Sequence, residues 1–465
     1  MRLDMAHGLL ILIIVVLALM VGYDLLSEII LYGREERLEN AIVIAPVGSP
    51  YENEAAYLCD GTDDQVEINA ALEALPESGG QVYLVEGTYH CSDSIRPGAN
   101  AVLTGEGADL TVLQFSGSAS VALTRGDNVT LSSFGVTGSG RVYISTSHNL
   151  VEDVAVTGVD DSYIASFMVY AYDEVIEDVA FVNCEAVDGD RWGFVHDGGG
   201  TTHRVRDITY TDCRAVNCGR YAQYYGEDQE HTEAWDVGFD VAESLQSAEN
   251  ITYIDCSASG CWESGFHVEP DTVLRSIRFI GCEARDNGQK QKSGGGTADF
   301  GAGFLINEET TLERCLSADN LVGFDCSAAD GSVLVECKDE RSEKGFRIHS
   351  IGEKGLTLRS CQTEATEYPV YIWTGTTRNV LIEGMTIHSA TPHPSPAITI
   401  DALAKDPAEI LITGSRIEGY ALGVKNEAEI RGQVRVENLI IGEATEDCIG
   451  CAGTSIPLFP EAGGL

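Results

Sequence analysis

The sequence predicts an all-β fold in which the chain winds as a parallel solenoid, and three observations carry that prediction. The first is a cysteine register in which each Cys is followed two residues later by a small or polar residue: Cys184 with Ala186, Cys213 with Ala215, Cys256 with Ala258, Cys282 with Ala284, Cys315 with Ser317, Cys337 with Asp339 and Cys361 with Thr363. The second is a Gly-Phe register at Gly193-Phe194, Gly238-Phe239, Gly265-Phe266, Gly303-Phe304, Gly323-Phe324 and Gly345-Phe346, with Pro369-Val370 as a degenerate seventh. The third is that the two interlock. From Cys to the aromatic position the intervals are 10, 26, 10, 22, 9, 9 and 9 residues, so five repeats share one length to within a residue and two carry insertions at the same place. Short runs with period-two alternation, such as Ile208-Thr-Tyr210 and Ile251-Thr-Tyr253, are broken by Gly, Asn and Asp, which is strand and turn chemistry. Units of about 20 to 27 residues with like residues at fixed offsets stack as the coils of a β-solenoid. Coils then lie about 4.8 Å apart, and a repeated position becomes a column of one side-chain type.

In chain order, the first element is apolar. Gly8 to Tyr23 is an uncharged run of 16 residues, at the lower edge of what spans a bilayer. Ala18-Leu-Met20 is a poor small-x-small cleavage site, which favours an uncleaved transmembrane anchor over a removed signal segment. The chain divides into an anchor or signal segment (1–32), a linker (33–55), the solenoid (56–445) and a C-terminal tail (446–465). Thr62-Asp-Asp-Gln65 has the pattern of a capping box, Thr62 as N-cap with Gln65 reaching back. It opens an amphipathic helix through Val66, Ile68, Ala70, Leu72 and Leu75 that Pro76 and Gly79-Gly80 end. Laid over the first coil, such a helix would cover an otherwise open sheet edge.

The stretch Cys59-Asp-Gly-Thr-Asp-Asp-Gln65, followed by Gly79-Gly-Gln-Val-Tyr-Leu-Val-Glu-Gly-Thr-Tyr89 and Leu103-Thr-Gly-Glu-Gly107, resembles the start of the pectate-lyase-like right-handed parallel β-helix superfamily. The similarity extends over about residues 56 to 445. It implies a single-stranded right-handed parallel β-helix with an N-terminal capping helix, preceded here by the N-terminal transmembrane helix. It also implies a polysaccharide partner and a location outside the cell, with the β-helix held to the cell membrane by the anchor. Lyases, hydrolases, uronan epimerases, phage tailspikes and non-catalytic surface proteins share this fold, so activity must be argued from the site. Gly238-Phe-Asp-Val-Ala-Glu243 is similar to the Gly-Phe-Asp-Pro-His-Glu motif of mannuronan epimerases, with Val241 and Ala242 replacing the Pro and the His. His267, one coil later, would then have to supply the base. Arg347-Ile-His349 is similar to the Arg-x-Lys of polygalacturonases, without the paired aspartates that family places on the preceding coils.

Charge narrows the partners further. The chain has 29 Lys plus Arg against 73 Asp plus Glu, a formal charge of −44. Nucleic acid is thereby excluded as a partner, because binding it needs clustered cations. The acidic excess suits a surface adapted to high salt, where self-repulsion is screened. Of the 14 cysteines, seven form one column whose Cβ vectors run parallel instead of converging, so buried thiols are expected and not disulfides. Cys59 and Cys91 are a candidate staple of the cap, and Cys448-Ile-Gly-Cys451 a candidate terminal disulfide. No cofactor is called for. Acidic turns such as Asp160-Asp161 and Asp188-Gly-Asp190 are where calcium would sit if it bound.

In the strand that begins at each Gly-Phe pair the Phe points inward, so residues one and three places later point out. One outward column runs Val195, Asp240, His267, Leu305, Asp325, Arg347 and Tyr371; the other runs Asp197, Ala242, Glu269, Asn307, Ser327, His349 and Trp373. Both insertions, Gly219 to Trp235 and Gly288 to Asp299, enter this strand and should wall one groove at residues 192 to 349. Tyr221, Tyr224, Tyr225, Trp235 and Trp262 would offer flat faces on which sugar rings stack, with His349 and Asn307 as polar contacts. Asp240, His267, Glu269, Asp325 and Arg347 are the candidate catalytic residues. Uronan lyase or epimerase chemistry needs a base, His267, and a cation for the developing enolate, Arg347. Three coils, roughly 14 Å, separate these two. A hydrolase would use two carboxylates about 5 to 9.5 Å apart, for which Asp240 and Glu269 are placed. Against both stands the alternative of a non-catalytic surface, adhesion or envelope protein, whose polar columns are only solvated faces.

Overall fold

The computed structural model of the chain describes residues 40–158, 165–219, 236–241, 244–269, 272–292, 301–428, 434–442, 446–449 and 451–455. Among the described residues, forty strands join in one hydrogen-bonded network of parallel pairings, and Gly375–Arg378 pairs separately with Ala404–Ala408. Each complete coil contributes a strand to each of three columns. Ser247–Ile254, Ser257–Ser259 and Phe266–Val268 form one such set, and the next coil lays Val273–Ile280, Glu283–Arg285 and Ala302–Ile306 over them.

The predicted register holds. Phe194 pairs with Phe239, Phe239 with Phe266, Phe266 with Phe304, Phe304 with Phe324 and Phe324 with Phe346. Their rings stack nearly parallel, with centroids 4.7 to 5.2 Å apart. In the first column Phe181, Tyr210, Tyr253 and Phe279 form a second stack that meets the first edge-on, as Phe239 and Tyr253 do at 5.7 Å and 80°. Ring faces are thus covered along the stacks and ring edges across them, which suits the aromatic quadrupole.

The interlock of the Cys and Gly-Phe registers is a physical contact. A Cβ on Gly238 would come within 3.0 Å of Ala258 Cβ, one on Gly303 within 2.4 Å of Ser317 Oγ, and one on Gly345 within 2.3 Å of Thr363 Oγ1. Glycine precedes the Phe because the small residue two places after each Cys occupies that space. The ladder cysteines follow a residue in the left-handed region: Asn183 (φ 49°), Asp212 (φ 54°), Asp255 (φ 51°) and Gly281 (φ 65°), types that tolerate it, and also Arg314 (φ 54°), Glu336 (φ 55°) and Ser360 (φ 54°). This turn drives the thiol inward, where it meets carbonyls of the preceding coil, as from Cys282 Sγ to Tyr253 O at 3.5 Å. All seven are buried free thiols, and Cys448 and Cys451 form a disulfide. Cys59 and Cys91 are also free, so no disulfide staples them.

The N-terminal end departs from expectation in two ways. The first coil begins before residue 56: Ala41–Pro46, inside the stretch assigned to a linker, pairs in parallel with Tyr57–Cys59 and Gly80–Leu84. The helix, α1 (Gln65–Glu73), packs against the first four strands but has no capping box. Asp64 stands at its N-cap and spends its carboxylate on Gly61 N at 2.9 Å and His90 N at 2.7 Å. Gln65 Oε1 accepts from Ser92 N at 3.0 Å instead of reaching back. The helix start is therefore tied to a neighbouring strand and not to itself. Gln65, Ile68, Ala71 and Leu72 are its buried face, while Val66 is exposed. The apolar segment at residues 8–23 lies outside the described residues; among those described, no helix is long and apolar enough to cross a membrane.

Candidate active site

The third strand column assembles the first outward ladder in the predicted order. Val195 pairs with Asp240, Asp240 with His267, His267 with Leu305, Leu305 with Asp325, Asp325 with Arg347, and Arg347 with Tyr371. Ser327 pairs with His349 in the second. These side chains are not, however, an open polar face. Asp240 is 1% exposed, His267 2%, Asp325 1% and Arg347 2%. At strand spacing each is flanked above and below by its column neighbours, and apolar clusters interrupt the column: Met168, Trp192, Val195 and Val237 on one side, Ala302, Leu305 and Val322 in the middle. Trp262, expected as a stacking platform, is also buried. Tyr221, Tyr224, Tyr225 and Trp235 lie outside the described residues, as do Asp160 and Asp161. Asp188, in the other acidic turn, accepts a hydrogen bond from Asn217 Nδ2 at 3.2 Å.

Two groupings result. In the first, Asp240, His267 and Glu269 converge so that one oxygen or nitrogen of each lies within 4.8 Å of the others; His267 Nε2 is 3.8 Å from Glu269 Oε1. Asp240 faces His267 across one rung, and Glu269, two residues beyond His267, emerges on the same face. Desolvation lowers the His267 pKa to about 4, against a smaller opposing pull from Asp325, so the imidazole is neutral at pH 7. Asn307, one coil on from Glu269, is 2% exposed and donates from Nδ2 to Val268 O.

In the second grouping, Arg347 binds Asp325 bidentately, with Nε to Oδ1 at 3.1 Å and Nη2 to Oδ2. His349 Nε2 is 3.3 Å from Asp325 Oδ1, and Trp373 lies against both side chains, 5.2 Å from the Arg347 guanidinium and 5.5 Å from the His349 ring. Burial pushes the Asp325 carboxyl up, but the charge of Arg347 and the hydrogen bonds from His349 and Arg347 outweigh it and hold it below its ordinary range. The base and cation expected to act together are thus apart: Leu305 and Asp325 stand between them, and the guanidinium is committed to Asp325. Asp240 and Glu269 approach more closely than the roughly 6.5 to 9.5 Å an inverting hydrolase leaves for water.

A third cluster escaped the sequence reading. Arg191, Asp236 and Glu263 each stand three residues before a ladder Phe, and that recurrence was the available signal. Asp236 and Glu263 are buried on neighbouring coils, with Arg191 Nε 3.8 Å from Asp236 and Lys290 Nζ 3.2 Å from Glu263. Burial first, then the like charge of Glu263, raises the Asp236 pKa well above the ordinary range.

The chain matches the family model described as rhamnogalacturonase A/epimerase, pectate lyase-like, over residues 59–267, a span that includes Asp240 and His267 and stops short of Glu269, Asp325 and Arg347. The sequence matches no curated protein. Among solved structures, the Azotobacter vinelandii mannuronan C-5 epimerase AlgE4 A-module is 17% identical, covering 90% of this chain and 98% of that one with a TM-score of 0.45. Pectate lyase Pel9A is 14% identical, covering 70% and 76% with a TM-score of 0.43. The tailspike protein gp49 from Acinetobacter baumannii bacteriophage Fri1, a capsular polysaccharide depolymerase, is 14% identical, covering 87% and 62% with a TM-score of 0.40. The three stacked strand columns make the chain a parallel β-helix, and residues 59–267 of it are similar to the pectate-lyase-like family.

Proposed function

We propose that the protein binds an extracellular polysaccharide along the outward face of the third strand column and processes it at the Asp240, His267 and Glu269 cluster. The reading includes a right-handed coil capped by α1 and held at the cell surface by the apolar N-terminal segment. The observation that carries it is the convergence of two carboxylates and a neutral imidazole from adjacent coils. A structural solenoid has no need to bury such groups on an outward face, because burial penalises them. The matched family description, rhamnogalacturonase A/epimerase, supports an acidic polysaccharide as substrate.

The specific observation favouring the second reading, a non-catalytic surface or adhesion protein, is that same burial. With His267 at 2% exposure, a sugar ring reaches it only if the covering side chains move. The two readings separate in one experiment: a glycan array combined with reducing-end and unsaturated-uronate assays on a panel of uronans, in low and high salt. The enzyme reading expects turnover of one uronan that falls about 10²-fold or more in Glu269→Ala, with an unchanged melting temperature, since a positioned acid or base contributes that much. Glycan binding without turnover establishes the adhesion reading, and neither binding nor turnover overturns the polysaccharide assignment.

A further inference from the structure

We infer that Asp240, His267 and Glu269 form a binding site for a single divalent first-row transition cation, with the Asn307 amide oxygen as an additional donor. The inference rests on reading this cluster as the chemical centre and gives that centre its electrophile.

The geometry suits an ion better than a hydrogen-bonded triad. His267 Nε2 and Glu269 Oε1 stand 3.8 Å apart, beyond hydrogen-bond reach. Two ligands each about 2.1 Å from a tetrahedral ion are roughly 3.4 Å apart, so a small inward movement of the three groups closes the site. Asn307 supplies an independent observation. Its Nδ2 is anchored on Val268 O, which fixes the amide against the strand carrying His267 and Glu269. Its Oδ1 is buried, and no donor among the described residues reaches it. An acceptor in that state, one coil on from Glu269, is what a cation satisfies. The donor set of one imidazole nitrogen with carboxylate and amide oxygens selects the class of ion. Calcium takes six to eight oxygens and magnesium prefers oxygens and retained waters, whereas imidazole suits zinc, iron and nickel and carboxylates suit manganese. Four side-chain donors leave positions open on an ion that takes five or six ligands, the arrangement in which a metal polarises a substrate oxygen. Arg347, the cation expected in that role, instead has its guanidinium committed to Asp325.

The test uses the full-length protein after treatment with a chelator and its removal, with Mn2+ as the probe, since buried thiols compete for softer ions. Electron paramagnetic resonance and calorimetric titration should show one saturable site per chain. Affinity should fall at least tenfold in Glu269→Gln and in His267→Ala, while Glu67→Gln, in the separate Cys59, Asp64 and Glu67 cluster, keeps it. Should His267→Ala fail to fold, the partly exposed position of Glu269, 16% for its side chain, and the near-isosteric Gln leave the other variant informative. Absence of a saturable site, or an unchanged affinity in Glu269→Gln, overturns the inference. Uronan turnover that survives chelation would leave the proposed function standing without the metal, and Mn2+ binding in a protein that processes no uronan would do the reverse.

Discussion

Asp339 occupies the second-column position that holds Ala, Ser or Thr in the other coils of the cysteine ladder, inside the solenoid, with no exposed surface. Thr363 Oγ1 donates to its Oδ2 at 3.1 Å, and Oδ1 sits against Gly323, where even a Cβ would come within 2.3 Å. Burial raises its pKa to about 7, against smaller lowering by hydrogen bonds from Ser342 and Thr363. Between the ordinary value of 3.8 and about 7 the folded chain holds a proton that the unfolded chain has released. The unfolded state then binds fewer protons, so stability falls as pH rises through this window and levels off above it. At about 1.4 kcal/mol per pKa unit the penalty at pH 8 is of order 4 kcal/mol. Asp339→Asn should therefore unfold at higher urea than the parent at pH 8 and near the parent value at pH 4. Urea titrations at the two pH values check this, and a variant equally affected at both would show that the carboxyl is ionised in the fold. His196 shows the same physics with no functional claim attached: it lies inside the coil, hydrogen-bonded to Tyr210 at 2.9 Å, and its pKa drops to about 3 through desolvation.

At the level of the strand, stability depends on the glycines of the third column meeting the side chain that stands two places after the ladder cysteine in the second. Gly345→Ala would place a methyl 2.3 Å from Thr363 Oγ1 and 2.6 Å from Pro369 O, one of them backbone. Overpacking of this kind typically costs about 1 to 3 kcal/mol, and chemical denaturation should register it. Thr363→Ala combined with Gly345→Ala should recover part of the loss, whereas additive losses would dissociate the two positions. This contact also explains what was legible in the sequence. A column repeats its chemistry at every coil, so the Phe, Cys and Gly registers, the free thiols and the pairing order from Asp240 to Arg347 could be read from spacing alone. Singular features could not. The start of α1 looked like a capping box because Thr62 and Gln65 have that spacing, yet Asp64 found a better partner in His90, inside the strand ending at Cys91, and Gln65 in Ser92, just after it. The burial of His267 and Arg347 was equally illegible, because alternation assigns a side chain to a face without saying what covers that face. Trp262 went wrong for the same reason. Arg191, Asp236 and Glu263 did recur at a fixed offset, but as unlike residues, and their common position emerges only when the coils are aligned by Phe.

Over the whole molecule the dominant electrostatic fact is the formal charge of −44, carried by 73 acids against 29 Lys plus Arg. Folding brings these charges together along a narrow solenoid, whereas the unfolded chain spreads them, so self-repulsion opposes the compact state at low ionic strength. The Debye length falls from about 30 Å at 0.01 M salt to about 3 Å at 1 M, which removes most repulsion between coils. Salt also weakens exposed ion pairs such as Arg341 with Asp319, joined by two bonds at 2.8 and 2.6 Å. Such pairs contribute about 0 to 1 kcal/mol each, and the cations are too few to pair most of the acids, so the repulsive contribution decides the sign. The melting temperature should therefore rise with NaCl, steeply below about 0.2 M and more slowly beyond, where the Debye length is already under about 10 Å. Calorimetry over that range in NaCl, repeated with sucrose to isolate the general effect of an excluded solute, measures it. A melting temperature that falls as NaCl is added would mean that the few ion pairs outweigh the acidic excess, and the proposal of a surface suited to high salt would fall with it.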